Sequence, residues 1–142
     1  MEVSIEAAEI QVALARLWKP RDPSYSHYRE KEGSINDMYQ ALMSAIDIYQ
    51  TLLGFDHPET ADANVKMALA YQEQGNFHAA SPWIRRAFCV FFKAFGPHDP
   101  ITQSCHETLK AIETNIDSDI AHVAFEDLPQ AIFEKERQQQ QA

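Results

Sequence analysis

Leu53-Gly54-Phe55-Asp56-His57-Pro58-Glu59-Thr60 returns 42 residues later as Phe95-Gly96-Pro97-His98-Asp99-Pro100-Ile101-Thr102. Gly, Pro and Thr hold their places, and Asp-His is inverted to His-Asp. The stretches before them agree at the same offset, with Ala45-Ile46-Asp47-Ile48-Tyr49 lying over Ala87-Phe88-Cys89-Val90-Phe91. Glycine occurs only at Gly33, Gly54, Gly75 and Gly96, always 21 residues apart. A fixed period of this length marks a repeat architecture, whose units bury their cores by stacking on neighbours.

Between the glycines the apolar residues recur at helical spacing. Ile35, Met38, Leu42, Ala45, Ile46, Tyr49, Leu52 and Leu53 form one stripe. Val65, Met67, Ala68, Leu69 and Tyr71 belong to a second helix ending at Gly75. Phe77, Ala80, Trp83, Ile84, Ala87, Phe88, Phe91 and Phe95 make a third. Ile101, Cys105, Leu109, Ile112 and Ile116 make a fourth. Glycines fit just past helix ends, where the left-handed conformation suits them. His57-Pro58 and Asp99-Pro100 read as helix starts, a capping residue followed by proline at the first helical position. Pro82, inside the third helix, removes one backbone donor and predicts a mild kink. No stretch alternates as a strand would, so the fold class is all-α: antiparallel helix pairs in a short superhelix of about five to six helices.

The ends depart from the period. Residues 1–18 are read as an N-terminal helix with Val3, Ala7, Ile10, Leu14 and Leu17 inward. Residues 19–33, with Pro20, Pro23, Tyr25 and Tyr28, are read as a loop. Residues 34–116 form the repeat region, one complete unit and two halves. Residues 117–142 hold a last helix, starting at Asp127-Leu128-Pro129 and running through Phe133, and a solvated glutamine tail.

The chain has 142 residues, 12 basic and 21 acidic, with a formal charge of −9. Such an acidic chain lacks the surface cations that phosphate neutralisation requires, so nucleic acid is not an expected partner. No run of about 18 apolar residues exists, so no membrane insertion is expected. The first residues carry Glu2, Glu6 and Glu9 rather than a basic cluster, unlike a leader peptide. Two cysteines, Cys89 and Cys105, fit a reducing compartment. The expected location is the cytoplasm.

Several of these residues carry a resemblance. Thr60-Ala61, Met67-Ala68, Tyr71, Gln74-Gly75, Phe77 and Ala80 resemble the first helix and turn of a tetratricopeptide repeat. Pro82, Arg86-Ala87, Gly96, Pro100 and Thr102 resemble its second helix and exit loop. The 42-residue form with a Gly-x-Asp-His-Pro-x-Thr connector looks like the variety found in kinesin light chains. One period beyond Ala68 and Tyr71 stand Lys110 and Glu113. The resemblance implies structural roles at Ala45, Gly54, Pro58, Ala68, Tyr71, Gly75, Ala80, Pro82, Ala87, Gly96 and Pro100. The residues support those roles independently: Ala68, Ala80 and Ala87 are small where helices approach, and Tyr71 and Phe77 are large enough to fill a wedge.

Little points to catalysis. Asp56, His57, His98 and Asp99 invite a metal site, but adjacent residues opening two helices one period apart read as caps. Cys105 and His106, one residue apart on a helix, point about 100° away from each other and cannot form a nucleophile–base pair easily. Both cysteines read as small buried hydrophobes. There is no phosphate loop and no hydrolase or metalloprotease motif. No catalytic residues, metal or cofactor are expected.

The resemblance implies that the first helix of each repeat lines a groove for a partner segment. Carried over, that face is Asp62, Val65, Lys66, Leu69, Gln72 and Glu73, then Ser104, Glu107, Thr108 and Ala111, followed by Thr114 and Asn115. These helices lie in segments of net charge −5 each (residues 34–76 and 103–142), whereas residues 77–102 carry +2 with Arg85, Arg86 and Lys93 on an outward helix. Phe92 is read as packing under the first or last helix. The function that follows is a non-catalytic interaction module, a small subunit or scaffold in a hetero-oligomeric assembly. A free adaptor for basic, partly apolar protein segments is the alternative. A helical metal protein or enzyme is the least supported reading.

Overall fold

The computed structural model describes residues 4–16 and 28–141. Among them every regular element is helical: α1 (Ile5–Arg16), α2 (Tyr28–Leu53), α3 (Pro58–Glu73), α4 (Phe77–Phe95), α5 (Pro100–Asn115) and α6 (Leu128–Gln141). Two short 3-10 turns, Asp119–His122 and Phe125–Asp127, precede α6. The chain divides into two compact units, Met1–Ala63 and Asn64–Ala142.

The repeat is visible hydrogen bond by hydrogen bond. At the start of α3 the Glu59 N–H donates to His57 Nδ1 at 3.1 Å. One period on, at the start of α5, the Ile101 N–H donates to Asp99 Oδ1 at 2.9 Å. Whichever residue stands directly before proline caps the helix, and imidazole and carboxylate serve the same end. Asp56 and His98, the other members of the inverted pairs, are exposed. The C-termini match as well. Beyond α3, Gly75 (φ +76°) turns left-handed while Asn76 N–H reaches the Tyr71 carbonyl and Gly75 N–H that of Gln72. Beyond α5, Asp117 (φ +51°) takes the same conformation, with Ser118 bonded to Glu113 and Asp117 to Thr114. Both are Schellman turns. The glycine series thus continues to a fifth position, where aspartate stands in.

The period fails at each end. Gly33 is no turn but lies inside α2, which begins at Tyr28, within the stretch expected to be a loop. The remainder of that loop, with the N-terminal helix's expected Leu17 and Trp18, lies outside the described residues. At the other end a helix equivalent to α4 would start near Asp119. The chain instead makes two 3-10 turns and reaches α6 only at Leu128. That helix runs past the expected Phe133 through Gln141, so the glutamine tract continues the helix, with Gln138 and Gln139 exposed.

In the first unit α1 packs on α2. Ala8 and Val12 are buried there, whereas Ile10, expected inward, is 59% exposed. The inward stripe is offset from the expected one because the two buried positions stand four residues apart on their own face. Met38, Leu42, Ala45, Ile46 and Tyr49 of α2 are buried, and Leu52 is not. The buried Thr60 hydroxyl donates to the Gly54 carbonyl at 2.8 Å and ties the connector to the helix it opens.

In the second unit α4 packs on α5, and α6 lies on α4. Ala80, Ile84, Ala87 and Phe88 have no exposed surface, and Cys105, Leu109 and Ile112 meet them from α5. Ile101, read as the first member of that stripe, is exposed, as is Phe95, which stacks on Phe91 with ring centroids 5.9 Å apart. Ile120, Leu128 and Ile132 close the core from the C-terminal segment. Phe92 packs beneath that segment, with its ring 5.7 Å from Phe125. Ala87 has no room for a larger side chain. Ala87→Leu should therefore overpack the helix pair and cost about 1–3 kcal/mol in urea melts. Ala111→Leu, on an exposed position of α5, should change stability by less than about 0.5 kcal/mol.

Candidate functional site

The expected groove face occupies equivalent register positions on α3 and α5. Asp62, Leu69, Glu73, Ser104, Glu107 and Ala111 are exposed, and Val65, Lys66, Gln72 and Thr108 are half-buried. Leu69 exposes 42% of its surface, an apolar group held among polar ones. Two members turn back onto their own helix: Thr108 donates to the Ser104 carbonyl at 3.3 Å, and Asn115 to that of Ala111 at 2.8 Å. Asp62 falls in the first unit, and the other groove residues in the second.

Arg85 does not lie on an outward face. It is 6% exposed, and its guanidinium grips Glu113, which has no exposed surface. Arg85 Nε donates to Oε1 and Nη2 to Oε2, each at 2.7 Å, a bidentate pair. The Ser81 hydroxyl adds a bond of 2.6 Å to Oε1. Burial alone pushes the Glu113 carboxyl up, yet the bonds from Arg85 and Ser81, the Arg85 charge and a bond from Ser118 outweigh it and hold the group below its usual range. Ser118 links this pair to the terminal helix. Its hydroxyl oxygen accepts from Arg85 Nη2 at 3.2 Å, Lys135 Nζ at 3.3 Å and the Ile120 N–H at 3.2 Å.

Above this network opens a cleft of about 420 Å³. The buried Ser81, Arg85 and Ser118 line it together with Pro82, Ile116, His78 and Gln139 and the charged Asp117, Asp119, Lys135 and Glu136. Sequence reading missed this site. One signal was present: Glu113 replaces the aromatic Tyr71 one period on, beside the buried Ile112, so a carboxylate was bound for the core.

The remaining polar groups are structural. Burial, then the Glu136 charge, pushes the Cys89 thiol up to about 12. Burial, then the neighbouring Cys89, does the same for Cys105, again to about 12. Both therefore stay protonated, consistent with packing roles. His106 lies edge-on to Phe125 with centroids 4.6 Å apart, its pKa lowered by burial and Lys110 against an opposing Glu107. Among the described residues no three or more His, Cys, Asp or Glu side chains gather to hold a metal ion. No described helix is long and apolar enough to cross a membrane.

Residues 60–101, from the connector threonine of one period to the start of the next, match the tetratricopeptide repeat. No curated protein matches the chain.

The buried pair makes an acid-dependence prediction. A carboxyl whose pKa is lower folded than unfolded contributes fully above its unfolded value of about 4.3. That contribution is lost as the pH falls through the lower native value. Glu113→Gln should lose it at every pH and strand the Arg85 charge, at about 3–5 kcal/mol in urea melts at neutral pH. The variant's stability should also fall less steeply than wild type between neutral and acid pH.

Proposed function

We propose that this chain is a non-catalytic protein–protein interaction module, a small subunit or scaffold within a larger assembly. The observation that carries the reading is the tetratricopeptide match across α3 and α4, a fold element whose exposed helix faces serve as contact surfaces. The surface supports it. Besides Leu69, the large apolar residues Phe55, Phe95, Ile101 and Phe133 are 67%, 42%, 50% and 59% exposed. The 42-residue period and the Gly-x-Asp-His-Pro-x-Thr connector support the kinesin-light-chain-like variety of the repeat.

A free adaptor for basic segments is the second reading, favoured by exposed Leu69 with Asp62, Glu73 and Glu107 on equivalent faces of acidic segments. Rim charges of this kind govern association rate more than residence time. With the partner obtained from the native assembly, binding should slow as salt rises, since exposed charges are screened beyond about 8–10 Å. Glu73→Lys with Glu107→Lys should lower the association rate, and Leu69→Arg should abolish binding. Surface plasmon resonance on the purified partner reads both. Unchanged rates in the triple variant would remove the groove from the reading.

A further inference from the structure

Among the described helices α4 alone carries no carboxylate, in a chain whose formal charge is −9. Its exposed side is basic and aromatic instead. Arg86 and Lys93 are exposed and seven residues apart, so they share one side of the helix, about 10 Å from each other along its axis. Neither forms an ion pair or a side-chain hydrogen bond among the described residues. Arg85 takes no part, since Glu113 already neutralises it in the core. One turn before Arg86 stands Trp83, half-buried, with the guanidinium carbon 6.0 Å from its ring centroid, at the outer reach of a cation–π contact. Tryptophan and arginine are the residues most enriched where protein contacts carry their energy. Two cations on one face are too few to follow a phosphate backbone, which takes a row of them. They suit a helix laid along α4, because its side chains return to one side at the same seven-residue interval.

We propose that this side of α4 docks an acidic helix of a partner protein, its carboxylates seven residues apart on Arg86 and Lys93 and an apolar side chain one turn beyond on Trp83. Charge complementarity selects the occupant: α4 has no carboxylate of its own to repel such a helix or to compete for the two cations. The surface is separate from the α3 and α5 face, opposite to it in charge, and rests on the interaction-module reading.

The test is a two-dimensional NMR titration of the full chain with a capped, alanine-based helical peptide. It carries two glutamates seven residues apart and a leucine three residues beyond one of them. Versions with glutamine or lysine in place of both glutamates are the comparators. The glutamate peptide should shift the Trp83 indole N–H and the amides of Arg86 and Lys93 in a saturable way that salt weakens, and the comparators should not. Arg86→Glu with Lys93→Glu should weaken binding by about tenfold or more, the scale set by losing charged partners. Should charge reversal disturb the helix, Arg86→Gln with Lys93→Gln offers a second variant. The proposal is overturned if no saturable shift occurs, if the glutamine or lysine peptide binds the same groups, or if neither variant weakens binding. It is equally overturned if the shifts spread alike to the other cations, Lys110 and Arg137 among them. A dimer of the free chain by light scattering that becomes monomeric in the Arg86→Glu, Lys93→Glu variant would make a second copy the occupant, and would also overturn it. Such a failure would leave the module reading standing, because that is tested on the native partner through Leu69.

Discussion

A carboxylate removed from water is stable only where donors replace the bonds it loses, and Glu113 meets that condition with groups drawn from α4 and from the turn after α5. Ser81 and Arg85 reach it from one turn of α4, and Ser118 from the residue that ends the Schellman turn of α5. Because a bidentate guanidinium fixes both distance and angle, α4 and α5 are held at one rotation about their axes. Lys135 then attaches α6 to the same serine. The C-terminal segment thus meets the same network through one serine. Ile120, Leu128 and Ile132 supply the apolar area, and the polar network selects which packing of that area is adopted.

The same pair explains why the repeat ends as it does. Asn76 caps α4 by accepting from the Ala79 N–H, and Ser118, its equivalent one period later, caps only a 3-10 turn. Ser118 already accepts from Arg85 and Lys135, so its hydroxyl is held toward the core rather than left to one helix end. The chain leaves the repeat path, and the edge-on contact of His106 with Phe125 pins the second turn before α6 begins.

Most of the fold was legible in the sequence because its punctuation is local. A residue before proline caps, a glycine past the last turn permits a left-handed step, and a three-and-four spacing buries one face. Each depends on neighbours within five residues. Gly33 shows the limit of that reading: glycine permits a turn without requiring one, and a helix of 26 residues runs through it. Asp117 shows the converse, a turn made where no glycine announces it. The candidate site was less legible for a different reason. Arg85 and Arg86 are adjacent and chemically alike, yet one is buried and the other exposed. Helix phase puts Arg85, four residues after Ser81 and three before Phe88, on the buried face and turns Arg86 about 100° away. The carboxylate that lets an arginine be buried there stands 28 residues away, and that pairing leaves no periodic trace.

Charge acts on two length scales in this chain. In the proposed groove reading, the exposed carboxylates at Asp62, Glu73 and Glu107 would act on a partner through solvent, where their field is screened by salt and serves encounter rather than retention. The cleft differs because the buried Arg85 lines it, and that charge is already matched within the protein by Glu113. The buried Glu113 ties α5 to α4 through Ser81 and Arg85, and Ser118, which accepts from both Arg85 and Lys135, brings α6 into the same network.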